Sequence, residues 1–227
     1  MAENETYQRG VVVEFDFAVA DGAEMLFEIA GRKLAEKGVR LSVMQEAKHL
    51  AGGNMHGALA ELFSELGVDA DAAQTAREIQ SEFAAAVTAA VPGLVNDSFR
   101  AFVDTLTRKG VKVILATRAD VQTLKAATAG LDQENVLVYA EPSTTYGGCK
   151  WDAWRRAVVQ NGLQDIFTAA VAGSGHGVKS ALVANLAVAA VEHPHVSYQD
   201  FGGADVVVES VGEPLAKELL RMLHLGA

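Results

Sequence analysis

The sequence predicts an α/β protein: a parallel sheet with helices on both faces, carrying a helical segment inserted after its first strand. Three observations predict it. Val11-Val12-Val13 is a run of β-branched residues with no polar alternation, as expected of a strand covered on both faces. From Asp21 to Ala90 the spacing is helical, with almost no strand signal. Beyond Val91 short apolar runs and helical patterns alternate, which implies a parallel sheet with helices packed on each side.

In chain order, residues 1–10 are a polar lead-in. The strand beginning at Val11 ends in Glu14-Phe15-Asp16. Two apart on a strand, Glu14 and Asp16 are expected to point the same way. In the insertion, Met25, Leu26, Ile29 and Leu34 mark one apolar helical face, Leu59, Leu62, Phe63 and Leu66 a second, and Ile79, Phe83 and Val87 a third. Gly38, Gly52-Gly53 and Gly67 punctuate them. Val91-Pro92-Gly93 is expected to return the chain to the sheet. Helix is then predicted over Asn96–Lys109, Val121–Ala129, Trp151–Gln160, Val178–Ala184 and Glu213–Leu223. Strand is predicted over Val111–Ala116, Val136–Tyr139, Thr168–Ala172, Leu186–Ala190 and Asp205–Val208. The layout is Rossmann-like, with residues 1–20 and 91–227 as the α/β core and 21–90 as a helical domain.

The 227 residues suit one large domain or a core with a small insertion. A net charge of −10, without any basic stripe, argues against nucleic acid as a partner. The lone cysteine, Cys149, excludes an internal disulfide and fits a reducing cytoplasm. No apolar run approaches the length of a membrane span, so a cytoplasmic protein without a membrane partner is expected.

Acids gathered at the carboxyl end of a buried strand occupy the place where ligands sit in open α/β sheets. The stretch from Val11 to Asp21 resembles the first motif of the haloacid dehalogenase-like superfamily, a hydrophobic strand ending in Asp-x-Asp-Gly-Thr/Val-Leu-x-Asp. By that resemblance Asp16 falls on the general acid/base, Asp21 on the last Asp, and Glu14 on the nucleophile. The added methylene moves the carboxylate by about 1.5 Å, enough to cost about a hundredfold in a positioned reaction. The helical insertion matches the cap of the phosphoglycolate phosphatase-like and β-phosphoglucomutase-like branch.

Three further motifs follow in the family's order. Thr117-Arg118, ending the strand after Arg108-Lys109-Gly110, matches the Thr/Ser whose hydroxyl and following N–H groups bind phosphate; the alternative is that Thr117 only caps a helix. Lys150, followed by Trp151 where the family usually has Pro, matches the cation that neutralises the acids, and an ion pair with Glu14 is expected. The fourth motif should supply an acid for Mg²⁺, but the chain reads Gly173-Ser174-Gly175-His176-Gly177. That turn lacks the spacing of a dinucleotide loop or a serine elbow. It can bind an anion through its N–H groups with Ser174 assisting, or be a tight turn whose glycines allow close packing. In the cap, Gln45, His49 and Asn54 stand where relatives choose substrates, or are ordinary surface polar residues. Trp151 and Trp154 share a helical face as packing anchors.

Active members transfer phosphoryl groups through an aspartyl-phosphate with Mg²⁺. With Glu14 and Gly173 in place of two acids, the resemblance implies a non-catalytic protein without a metal. It would bind a small phosphorylated or anionic molecule at Asp16, Thr117, Arg118, Lys150 and Ser174, or bind a protein partner. The alternatives are a phosphatase acting on a small phosphate monoester with Glu14, Asp16, Lys150 and Mg²⁺, or a structural subunit of an oligomer. Restoring both acids, Glu14→Asp with Gly173→Asp, is expected to restore Mg²⁺ binding.

Overall fold

The computed structural model describes residues 8–50, 54–140 and 151–225. Those residues form a six-stranded, all-parallel sheet in the order β3-β2-β1-β4-β5-β6. The strands are β1 (Gly10–Glu14), β2 (Lys112–Thr117), β3 (Val136–Ala140), β4 (Thr168–Ala172), β5 (Ala187–Val191) and β6 (Val206–Val208). β1 is central, with Val11 beside Val113 of β2 on one side and Ala169 of β4 on the other. The chain winds outward from β1 to β3, then crosses back to begin β4. Strand order therefore reverses beside β1, and the crevice at the carboxyl ends of β1 and β4 is where such sheets take ligands.

Alternation along each strand sorts the core onto two faces. Val11, Val13, Val113, Leu115 and Val171 face one side. That side is covered by α5 (Asp97–Thr107), through Phe99, Phe102 and Leu106, and by α9 (Glu213–Met222), through Leu215 and Leu219. Val12, Ile114, Ala170 and Ala172 face the other side, against α7 (Trp151–Gln160) and α8 (Gly175–Val183). The short helix α6 (Val121–Ala127) links β2 to β3 and adds Leu124 to the first face.

Between β1 and β2 lie α1 (Gly22–Ala35), the short α2 (Val43–Gln45) continued by a π-helical turn at Glu46–Leu50, α3 (Met55–Leu66) and α4 (Ala72–Leu94). The predicted apolar faces of α1 and α4 are buried, apart from the partly buried Met25, and their residues join the first-face core. On α3 Leu59, Leu62 and Phe63 are buried, whereas Leu66 is exposed in the last turn before the left-handed Gly67.

Three sequence expectations fail here. β1 stops at Glu14, and Phe15–Val19 forms a π-helical turn closed by the Ala20 N–H on the Phe15 carbonyl, so Asp16 is not a strand residue. Val91-Pro92-Gly93 does not break the chain: α4 continues through Leu94. Proline in this last turn forfeits one backbone hydrogen bond, while continued helix buries Val91 and carries the Val95 N–H back to the Val91 carbonyl. Finally, only one of the two tryptophans is an anchor. Trp154 is fully buried with its indole N–H donated to Ser180 Oγ, while Trp151 is half exposed with the Arg155 guanidinium over its ring.

Candidate functional site

Glu14, Asp16, Thr117 and Ser174 meet at the carboxyl ends of β1, β2 and β4, and all four are buried. The π-helical turn sends the two acids in different directions. Glu14, the last residue of β1, leans toward β4, where its Oε2 accepts the Gly173 N–H at 3.0 Å. Asp16 leans toward β2. Its Oδ1 accepts the Thr117 hydroxyl at 2.5 Å, and its Oδ2 accepts the Arg118 N–H at 2.8 Å with the Arg118 guanidinium 3.5 Å away. Thr117 Oγ1 in turn accepts the Ala119 N–H. Asp120, not Thr117, caps α6.

Three of the donors expected to hold a phosphate are thus engaged by the chain's own carboxylates. The Thr117 hydroxyl and the Arg118 N–H serve Asp16, and the Gly173 N–H serves Glu14. The Arg118 side chain lies 5.5 Å from the Phe17 ring and 6.0 Å from that of Phe83, which α4 contributes, so the insertion packs against Arg118. Ser174 is the N-cap of α8, its Oγ accepting the Gly177 N–H at 2.9 Å, while the Gly175 N–H is donated to Gln199 Oε1. The cavity lined by Phe17, Leu26, Ser174 and Gln199 holds about 10 Å³, room for about one water.

Gly173 has a second constraint that the sequence does not display. A β-carbon there would lie 2.1 Å from the carbonyl carbon and oxygen of Phe17 and 2.5 Å from the Ala18 nitrogen. One on Gly177 would lie 2.6 Å from the Glu14 carboxylate. The glycines of this turn therefore make room for the π-helical turn and for Glu14. An aspartate cannot replace Gly173 without displacing backbone, which corrects the expected rescue by Gly173→Asp. The residues present do not fit Mg²⁺ at the position the resemblance implies, because the place of its carboxylate ligand is filled by main chain.

Among the residues predicted to choose substrates, Gln45 accepts the Ser42 N–H and Asn54 caps α3 by accepting the Gly57 N–H. His49 is buried, with Nε2 3.3 Å from the Glu65 carboxylate. Lys150 and its expected pairing with Glu14 lie outside the described residues. A second polar group, which sequence reasoning missed, joins the start of α1 to the turn after β5: Asp21, Glu24, His193 and His195. Its signal was His193-Pro194-His195 directly after a strand, at the same sheet end as Asp21.

A doubly wound parallel sheet with acids at its switch point, and helices inserted after the first strand, defines the class. Solved structures of similar fold include β-phosphoglucomutase from Clostridium difficile, 10% identical over 96% of this chain and 97% of that one, with a TM-score of 0.69. CbbY from Rhodobacter sphaeroides in complex with phosphate is 16% identical over 91% and 96%, with a TM-score of 0.66. A haloacid dehalogenase-like protein of unknown function from Agrobacterium tumefaciens is 16% identical over 95% and 99%, with a TM-score of 0.61. No protein-family model and no curated protein matches the sequence. The chain has the haloacid dehalogenase-like fold. Among the described residues no helix is long and apolar enough to cross a membrane.

Proposed function

We propose that this chain is a non-catalytic, phosphatase-like protein that acts by binding, with the helices of residues 21–90 serving as a cap over the core site. The observation that carries this reading is the packing at Gly173. Main chain fills the place of a metal-binding carboxylate, and Mg²⁺ sites of this kind need hard oxygen ligands beside the phosphate. The neighbouring carboxylates support it further. Glu14 is held on the Gly173 N–H and Asp16 on Thr117 and Arg118, so both are engaged by the chain's own donors. Phosphoryl transfer is mostly positioning and electrostatics, and here the positioning serves the chain itself.

A small phosphorylated or anionic ligand, if it enters, must displace Asp16 from Thr117 and Arg118. A protein partner meets no such requirement. The second reading, hydrolysis of a small phosphate monoester, draws on CbbY, whose structure holds phosphate. Turnover of an aryl phosphate, with and without Mg²⁺, separates the two. No turnover above buffer is expected from the unmodified chain; Mg²⁺-dependent hydrolysis lost in Glu14→Ala would establish the second reading instead.

A further inference from the structure

The first turn of α1 and the turn after β5 bring four metal-competent side chains together. Asp21 Oδ2 lies 3.4 Å from His195 Nδ1 and 4.0 Å from His193 Nδ1, and Glu24 Oε1 lies 3.8 Å from His195 Nε2. One donor atom each from Asp21, Glu24 and His195 can be chosen so that all fall within 4.8 Å of one another. Donors bound to a common ion at about 2.0–2.2 Å stand about 3–3.5 Å apart. Asp21, Glu24 and one nitrogen of His195 are therefore within a side-chain adjustment of coordination, and His193 reaches Asp21 from the neighbouring position.

Two hydrogen-bonded supports orient it. Asp21 Oδ1 accepts the Glu24 N–H as the N-cap of α1, which fixes the carboxylate and leaves Oδ2 directed at the imidazoles. His193 Nε2 lies 3.3 Å from the Ala18 carbonyl oxygen. A carbonyl only accepts, so the Nε2 N–H is donated to it and the Nδ1 edge of the ring is turned toward Asp21 Oδ2. A ring N–H held by a backbone carbonyl is also the usual support of a metal-binding histidine. Beside His193 opens a cleft of about 460 Å³ lined by Glu192, Pro194, Ser197 and Glu209, through which an ion and further ligands can reach the cluster.

We infer that Asp21, Glu24, His193 and His195 form a site for a divalent transition-metal ion of the Zn²⁺ or Co²⁺ type. Imidazole beside carboxylate suits these ions, whereas Mg²⁺ prefers oxygen ligands alone. Two carboxylates balance the charge of the ion. The inference does not rest on the non-catalytic reading, since it uses none of the residues that carry that reading.

The test uses the full chain without a polyhistidine tag, stripped with a chelator. Co²⁺ is titrated and followed by visible absorption, and Zn²⁺ by calorimetry. One equivalent should bind, with a Co²⁺ spectrum characteristic of nitrogen and oxygen ligands. Asp21→Asn, which keeps the capping oxygen and hence the helix, and His195→Ala should each weaken binding about tenfold or more. His56→Ala, on the exposed side of α3, serves as the control and should bind as the unmodified chain does. Absence of a Co²⁺ spectrum, or an affinity unchanged in both Asp21→Asn and His195→Ala, would overturn the inference.

Discussion

At Gly173 the constraint is steric before it is chemical. The Phe17 and Ala18 backbone fills the volume of any side chain at this position, and main chain cannot rotate aside as a side chain can. Gly173→Ala is expected to destabilise the chain by about 3 kcal/mol or more, the upper end of overpacking costs, in urea unfolding followed by circular dichroism. A loss below about 1 kcal/mol would mean that the π-helical turn yields easily, and that an acid at this position is sterically open after all. The sequence displayed only half of this. The absence of an acid at residue 173 is legible in one dimension; the contact that excludes it joins residues far apart in the chain. Asp16 was misread for a related reason. Period-two reasoning assumes that a strand continues, and nothing in Phe15-Asp16-Phe17 announces a π-helical turn.

At the scale of elements, the long helix α4 illustrates how local chemistry sets a boundary. Asp71 caps it, accepting the Gln74 N–H at 2.9 Å, and that hydrogen bond holds the carboxyl pKa below its ordinary value. A carboxylate whose pKa is lower in the folded chain contributes stability above the ordinary carboxylate range and loses it as pH falls through the folded value. Asp71→Asn keeps a capping oxygen but does not titrate. Its melting temperature should therefore fall less steeply than that of the unmodified chain below about pH 4, and the two should converge in acid. An unchanged acid slope would remove Asp71 from the account. The start of α4 was not assigned to a residue from the sequence, although Asp71 before an apolar helical pattern is an ordinary start signal. Its end was misplaced because Pro92 reads as a breaker unless burial of Val91 and Val95 is known. The strands after β1 were legible within a residue or two, since a sheet buried on both faces leaves continuous apolar runs.

For the whole molecule, the question is whether sheet and insertion unfold together. Phe15, at the head of the π-helical turn, meets Phe99 edge-on at 5.9 Å, and Phe99 stacks on Phe102 at 6.2 Å, so an aromatic chain runs from the site into α5. The apolar residues of α1, α3 and α4 are continuous with the same core. Phe99→Ala should cost about 3–5 kcal/mol. Both tryptophans lie on α7, on the opposite face of the sheet, so fluorescence reports that layer while circular dichroism reports the helices as a whole. In urea the two probes should give one coincident transition, shifted equally by the substitution. Separate midpoints would show that the two layers unfold as independent units.

The position of β1 has a consequence for synthesis on the ribosome. The strand emerges before the rest of its sheet: its partners in β2 and β4 follow about a hundred and about a hundred and sixty residues later. Growth at roughly 5–20 residues per second leaves Val11-Val12-Val13 without its sheet for many seconds. The helices of the insertion, whose contacts are more local, can order in that interval. The nascent chain must therefore carry a sticky, unpaired strand ahead of a folded helical segment, and how well a cell shields that strand will govern its yield.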